Sequence, residues 1–420
     1  MANAETMAIQ NGKLIDGTGA EPLEKATVII EGSTIKEVGA GLTVPRDAAV
    51  VDATGKTIMP GLIDAHLHIS GGRSDAFVDR LIRPRELGLI KSIQDCRDML
   101  NAGYTMAKCC GGTNAVYLKK SVKEGTLTDL PRIVASGYVL SQTFGHADRH
   151  FLPMECVDAR TTRHDSATLI CDGADECIKA TRYALRFGAD FIKVMTTGGV
   201  LSQADHPDDV QFNMEEIRAV VETAAQVSKF VTTHCQNSRG SKNSILGGIK
   251  TIDHANETNS EIIDLALEHG AIFVSTLAIC HQIVNYGQEA GMAAWGVEKA
   301  KVEWEVMCES IGRIKSAGAP VAAGTDFSGT PLMRFGQNAM ELDLLARYSG
   351  FTPMEAIVAA TRHGAMACFM EDKTGTLEPG KLADIIVVDG DPLDDLTILQ
   401  DANRIKVVIL EGKVTKNLDA

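Results

Sequence analysis

Eight short apolar runs alternate with amphipathic stretches over residues 56–370, and β-type runs lie at both ends of the chain. Together these predict an α/β protein. The expected architecture is a TIM-like (β/α)8 barrel, residues 56–370, with a small β-sandwich domain formed by both termini, residues 1–55 and 371–420. A length of 420 residues suits one large barrel with additions.

The N-terminal runs Met7-Ala-Ile-Gln, Lys13-Leu-Ile, Ala26-Thr-Val-Ile-Ile and Ile35-Lys-Glu-Val are strand-like, with Asn11-Gly12 and Asp16-Gly17 as turn pairs. Near the other end, Leu382–Asp389, Ile405–Leu410 and Val414 form a matching β unit. Between them the expected barrel strands begin at Leu62-Ile63 and run on to His68. They continue with Tyr104–Cys110, Arg132–Ser136, Phe191–Met195, Phe230–His234, Thr251–His254, Ala271–Ser275 and Pro320–Asp326. Glu176–Phe187 and Met214–Ala225 carry apolar residues every three or four positions, as amphipathic helices do.

Composition narrows the function. Apolar residues make up 45% of the chain, enough for a large core of mostly aliphatic side chains. The net charge of −14 carries no basic patch, which argues against a nucleic-acid partner. No run is long and apolar enough to span a membrane, and Met1–Thr6 has no signal-peptide character. Ten cysteines without a Cys-x-x-Cys pair read as reduced thiols of a cytoplasmic protein.

Polar residues cluster at the expected strand ends: His66 and His68, Lys193, His234, His254 and Asp326. Side chains two apart on a strand share a face, so His66 and His68 point the same way. In a barrel all C-terminal strand ends meet on one face, where active sites form. Imidazoles and a carboxylate meeting there can hold a divalent metal. Taken singly, Asp253 and Asp326 could equally be turn or cap residues. Lys193 sits between Phe191-Ile192 and Val194-Met195, where burial disfavours an ammonium. A neutral lysine amine can react with CO2 to give a carbamate, an anionic oxygen ligand able to bridge two metals.

These residues lie in Pro60–His68, Ile192-Lys-Val-Met-Thr-Thr-Gly-Gly199, His234, Asp253-His254 and Gly324-Thr-Asp326, with Gly375–Asp384 near the end. On those motifs the whole chain resembles the amidohydrolase superfamily, in its imidazolonepropionase-like and prolidase-like branch. The resemblance implies two divalent metal ions, zinc by ligand type. One is held by His66, His68, carboxylated Lys193 and Asp326, the other by carboxylated Lys193, His234 and His254. It implies that a bridging hydroxide attacks an amide carbonyl while Asp326 passes the proton to the leaving nitrogen. The substrate would be a dipeptide, N-acyl amino acid or ochratoxin-type amide, losing its C-terminal amino acid, and the protein a homo-oligomer.

Substrate contacts are expected from the loop after strand 3: the resemblance implies that His146 reaches toward the scissile carbonyl, and Arg149 and His150 could bind a carboxylate. The polar run 198–212 reads as an active-site loop. Arg334 is a further anion partner. Related dipeptidases often place Ala and then a polar ring after the strand-5 histidine. Here Cys235-Gln236-Asn237 follows His234, leaving Gln236 to bind a carboxylate or amide. His206 reads as surface, His281 lies past strand 7, and His164, His269 and His363 fall off the strand ends. A cyclic-amide hydrolase or deaminase is the alternative, although Lys193 argues against a mononuclear deaminase. A binding or scaffold protein would usually have lost a ligand.

Overall fold

The computed structural model describes residues 6–76, 78–162 and 166–419, so Met1–Glu5 and His164 lie outside the described residues. The first strands are β1 (Thr6–Leu14), β2 (Leu23–Glu31), β3 (Thr34–Ala40), β4 (Ala49–Asp52) and β5 (Thr57–Pro60). The middle of the chain contributes β6 (Leu62–Leu67), β7 (Tyr104–Cys109), β8 (Arg132–Ala135), β9 (Val139–Ser141), β10 (Thr168–Ile170), β11 (Ile192–Met195), β12 (Val231–Cys235), β13 (Thr251–His254), β14 (Ile272–Ser275) and β15 (Val321–Ala323). The last are β16 (Ile385–Val388), β17 (Ile405–Leu410) and β18 (Lys413–Asn417).

The fold is the expected barrel with a terminal β domain. Strands β6-β7-β8 pair in parallel, as do β10-β9-β11-β12-β13-β14-β15. The third barrel strand is broken at Ser136-Gly137-Tyr138: β8 pairs with β7, and β9 pairs with β11. The ring closes where Thr325 N and Asp326 N both donate to His66 O, at 3.0 and 2.7 Å, and His68 N donates to Phe327 O at 2.8 Å. All eight expected strands are present. The last ends at Ala323, because Gly324-Thr-Asp326 turns away to make this seam. The short β10, outside the ring beside β9, was not anticipated. Every residue of β6, β7, β12 and β13 is buried, as parallel strands covered on both faces require.

The terminal strands form one eight-stranded sheet, β18-β17-β16-β5-β1-β2-β3 with β4 on β1. It has its own core, including Ile9, Val28, Ile58, Ile385 and Val407. Asn11-Gly12 is not a hairpin turn. It is a bulge inside β1, with Asn11 at φ 69° and a register shift against β2. Because β5 pairs with both β1 and β16, we place the domain boundary at Gly61 rather than after residue 55. The motif ending at Asp384 acts as a strap: Asp384 is buried and binds Arg132 of β8 at 2.6 Å, tying the terminal sheet to the barrel.

The helix Met214–Ala225 starts where expected, because Asn213 and Glu216 form a reciprocal capping box. The helix Leu277–Tyr286 is capped from a distance. Glu341 accepts from Leu277 N at 3.0 Å, Ala278 N at 2.7 Å and Ser275 Oγ at 2.7 Å. Burial pushes this carboxyl up to about 7 in spite of those donors. The folded chain therefore holds the Glu341 proton more tightly than the unfolded chain does. Its contribution to stability is complete at low pH and lost as pH rises through about 7. The Tm of wild type minus that of Glu341→Gln should therefore fall between about pH 5 and about pH 8. A difference that stays flat over that range would show that Glu341 does not titrate there.

Candidate metal centre and active site

Six strand-end residues meet at the C-terminal mouth of the barrel. His66 Nε2 and His68 Nε2 lie 3.5 and 2.9 Å from one oxygen, Asp326 Oδ1. Ligands about 2.0–2.2 Å from one tetrahedral ion lie roughly 3–3.6 Å apart, so these three donors fit a divalent ion. The His254 ring is 4.8 Å from that of His66 and 4.4 Å from that of His234.

Each outer imidazole is oriented by a neighbour. His68 Nδ1–H donates to Gly111 O at 2.8 Å, which leaves the Nε2 lone pair facing the site, as a metal would need. His234 Nε2–H donates to Gly198 O at 3.1 Å, which leaves Nδ1. His254 Nδ1 pairs with Thr276 Oγ1 at 2.8 Å. Burial, followed by the Lys193 charge, pushes His66 down to about 4. Burial also holds His234 and His254 well below the usual imidazole range. All three are neutral near pH 7, as metal ligation needs. Burial works against the Asp326 carboxylate, but the adjoining His66 and His68 imidazoles more than offset it, so the group stays ionised.

Lys193 is 1% exposed and donates to Asp253 Oδ2 at 2.6 Å. The same oxygen lies 3.0 Å from His66 Nδ1, off the line needed for a hydrogen bond, so that nitrogen keeps no partner. Asp253 is thus neither turn nor cap. The sequence leaves Asp253 open as a turn or cap residue, because neighbours on a strand face opposite ways and His254 is the one expected at the site. His254 adopts φ 76°, which breaks the alternation and turns both residues toward the site. Asp326 at φ 57° does the same at the seam. Such values in non-glycine residues cost energy and persist where the surroundings hold them.

A cavity of about 190 Å³ opens beside His68, His146, Arg149 and Asp326. Ile69, Val139, Met195, Leu201, Ile279 and Met333 give it an apolar wall. A smaller cavity adjoins it, lined by His146, His234, Gln236, His254 and Asp326. Gln236 is buried and its Oε1 has no hydrogen-bond partner. His146 stacks on His234 with ring centroids 4.0 Å apart, and its Nδ1 meets Ser202 Oγ at 2.8 Å. Burial pushes His146 down to about 4.

His150 lies outside both cavities. Its ring stacks on Phe144, and its Nδ1 accepts from Ala204 N at 3.1 Å. Arg334 is exposed and also outside them, while its neighbour Met333 lines the wall. His206 is exposed, and His281 packs on Trp304. His269 closes a surface helix, and His363 Nδ1 donates to Val321 O at 3.0 Å. The run 198–212 folds over the mouth. Lys299 anchors it by donating to Gly199 O at 3.2 Å, Ser202 O at 2.8 Å and Asp205 O. No sequence motif marked Lys299, which lies about a hundred residues from the loop it holds. All ten cysteines are free, and among the described residues no helix is long and apolar enough to cross a membrane.

The amidohydrolase family matches residues 57–415, which include all six strand-end residues. The chain belongs to the amidohydrolase family. Ochratoxinase of Aspergillus niger is 31% identical over 98% of this chain and 87% of its own length. The crystal structure of A. niger ochratoxinase matches with a TM-score of 0.89 at 29% identity, covering 99% of this chain and 96% of that one. A prolidase complexed with N-methylphosphonate-L-proline matches with a TM-score of 0.89 at 29% identity, over 98% and 100% of the two chains. A Xaa-Pro dipeptidase with methionine bound in its active site gives 0.87 at 29% identity, over 98% and 99%. This amidohydrolase is therefore a hydrolytic enzyme acting on C–N bonds, in a family that is generally metal-dependent.

Gly199 has no room for a side chain. A Cβ there would lie 2.3 Å from His146 Cε1 and 2.8 Å from His234 Nε2. Gly199→Ala should displace both rings and lower kcat/KM by roughly 100-fold while Tm changes little. Steady-state kinetics and a melting curve on the same preparation check this.

Proposed function

We propose that this amidohydrolase cleaves an amide bond and releases a C-terminal amino acid from a dipeptide, an N-acyl amino acid or an ochratoxin-type amide. The observation that carries the reading is the meeting of the His66 and His68 imidazoles on the Asp326 carboxylate, with Lys193 reached through the shared Asp253 oxygen. His66, His68, Asp326 and a carboxylated Lys193 would hold one divalent ion. The same Lys193 group with His234 and His254 would hold the second, and zinc suits that donor set. Such ions, when bound, activate water and polarise the scissile carbonyl.

The chain's own groups do the rest. Asp326 borders both cavities, so its carboxylate can take the proton of the attacking water and return it to the departing amine nitrogen. His146 borders the same space as a neutral imidazole, suited to a hydrogen bond with the carbonyl oxygen. Arg149 lies on the cavity wall, which supports reading it as a partner of the substrate carboxylate. The buried and unpaired Oε1 of Gln236 beside the smaller cavity supports reading it as an acceptor for the substrate's amide N–H. The apolar wall favours an apolar leaving residue, and the relatives named ochratoxinase, prolidase and Xaa-Pro dipeptidase lie in the same range of substrates.

A panel of dipeptides and N-acyl amino acids on protein of known metal content tests this. Free amino acid should appear, disappear with chelator and return with zinc. Silence across the panel with two zinc ions bound per chain would overturn the substrate class, and release of ammonia instead would favour a deaminase. Lys193→Ala should lose both turnover and bound zinc, read by elemental analysis. A variant that keeps two zinc ions and normal turnover would remove Lys193 as the bridging ligand.

A further inference from the structure

Lys108 is the unexplained charge of the barrel. It lies on β7, is fully buried, and belongs to no motif that marks the site. Its Nζ donates to Thr232 Oγ1 at 3.2 Å and to Thr251 Oγ1 at 3.3 Å. The ring centroids of Phe191 and Phe230 lie 5.2 and 5.8 Å away. Among the described residues it has no direct ion pair. A buried ammonium without a counter-charge costs several kcal/mol, so something must compensate it.

The compensating group is one hydroxyl away. Thr232 Oγ1 lies 3.1 and 3.2 Å from the two oxygens of Asp253. The directions are consistent, since Lys108 donates to Thr232 and Thr232 donates to Asp253. Asp253 also takes the Lys193 ammonium directly, at 2.6 Å. Two buried cations therefore share one buried carboxylate. That excess is reversed if Lys193 carries a carbamate. Lys193 is then negative, Asp253 loses its near cation, and Lys108 is the cation that remains.

We propose that Lys108 is a positioning residue of the metal centre, acting through Thr232 to keep Asp253 aimed at Lys193 and His66 when Lys193 is carboxylated. This rests on the reading of Lys193 as a carbamate ligand. Simple repulsion between an ammonium and two dications gives the opposite expectation, that removing Lys108 tightens metal binding. The sign of the effect therefore decides between them.

The test is zinc affinity in Lys108→Met, measured by chelator competition in bicarbonate buffer, with Tm recorded with and without zinc. The metal-free variant should melt near wild type, because a linear apolar side chain replaces a buried charge. Its zinc dissociation constant should rise roughly 10–100-fold, the usual cost of losing an outer-sphere partner. The zinc-induced rise in Tm should shrink accordingly. Thr232→Val keeps the lysine and removes the bridging hydroxyl. It should weaken zinc in the same direction, and it carries the test if Lys108→Met does not fold. Unchanged or tighter zinc binding in the folded variant, or an equal loss of Tm with and without zinc, overturns the proposal. Wild type that binds no zinc overturns the metal reading itself, and this inference with it.

Discussion

The seam between the first and last barrel strands is fastened by one buried carboxylate, and the site depends on that seam. Asp64 accepts from His66 N and Thr325 N at 3.1 Å each, and from Thr325 Oγ1 and Asn338 Nδ2 at 2.7 Å each. Four donors to a charged acceptor give a strong clamp, since each such bond is worth about 1.5–3 kcal/mol. Burial nevertheless pushes Asp64 up to about 6, so desolvation consumes much of that gain. The return is positional. The clamp fixes Gly324-Thr-Asp326 against His66, and so fixes the distance between the carboxylate and both imidazoles. Gly324 allows the approach, because a Cβ there would lie 2.7 Å from His66 Cβ.

Inside this frame the site is built on charge economy. The imidazoles of His66, His234 and His254 are neutral because they are dry, and outward hydrogen bonds from His68 and His234 leave one nitrogen of each ring facing the site. Its one buried lysine among the strand-end residues is paired, and that pair draws in Thr232, Thr251 and Lys108 one layer further along the barrel. The strand-end face and the polar floor beneath it are thus one connected network. In such networks a change at one member is felt by the others, so single substitutions do not report single contacts.

The cavity follows from where the strands stop and the loops begin. Strand ends supply the polar wall, and the segments after the first, second, third, fourth and eighth strands supply much of the rest. Run 198–212 is held through its backbone carbonyls by Lys299, so its position depends on a helix far along the chain. Arg149 and Arg334 looked alike in sequence, each a basic residue after a barrel strand. One lines the cavity and the other faces solvent.

The sequence by itself determined the barrel, the terminal β domain and the six strand-end residues that meet at its mouth. Strand periodicity and apolar runs are local signals, and a closed parallel barrel leaves only one face where strand ends can gather. What only the tertiary structure decided was the partner of each group. Asp253 faces Lys193 because His254 adopts a left-handed backbone, which no local pattern announces. Lys108 reaches Asp253 from another strand, through a hydroxyl of Thr232, 124 residues away in the chain. The break at Ser136-Gly137-Tyr138 and the bulge at Asn11-Gly12 were likewise set by neighbouring strands. Residue type reports what a side chain can do. Which group it meets depends on long-range packing, and that information is absent from any short stretch of chain.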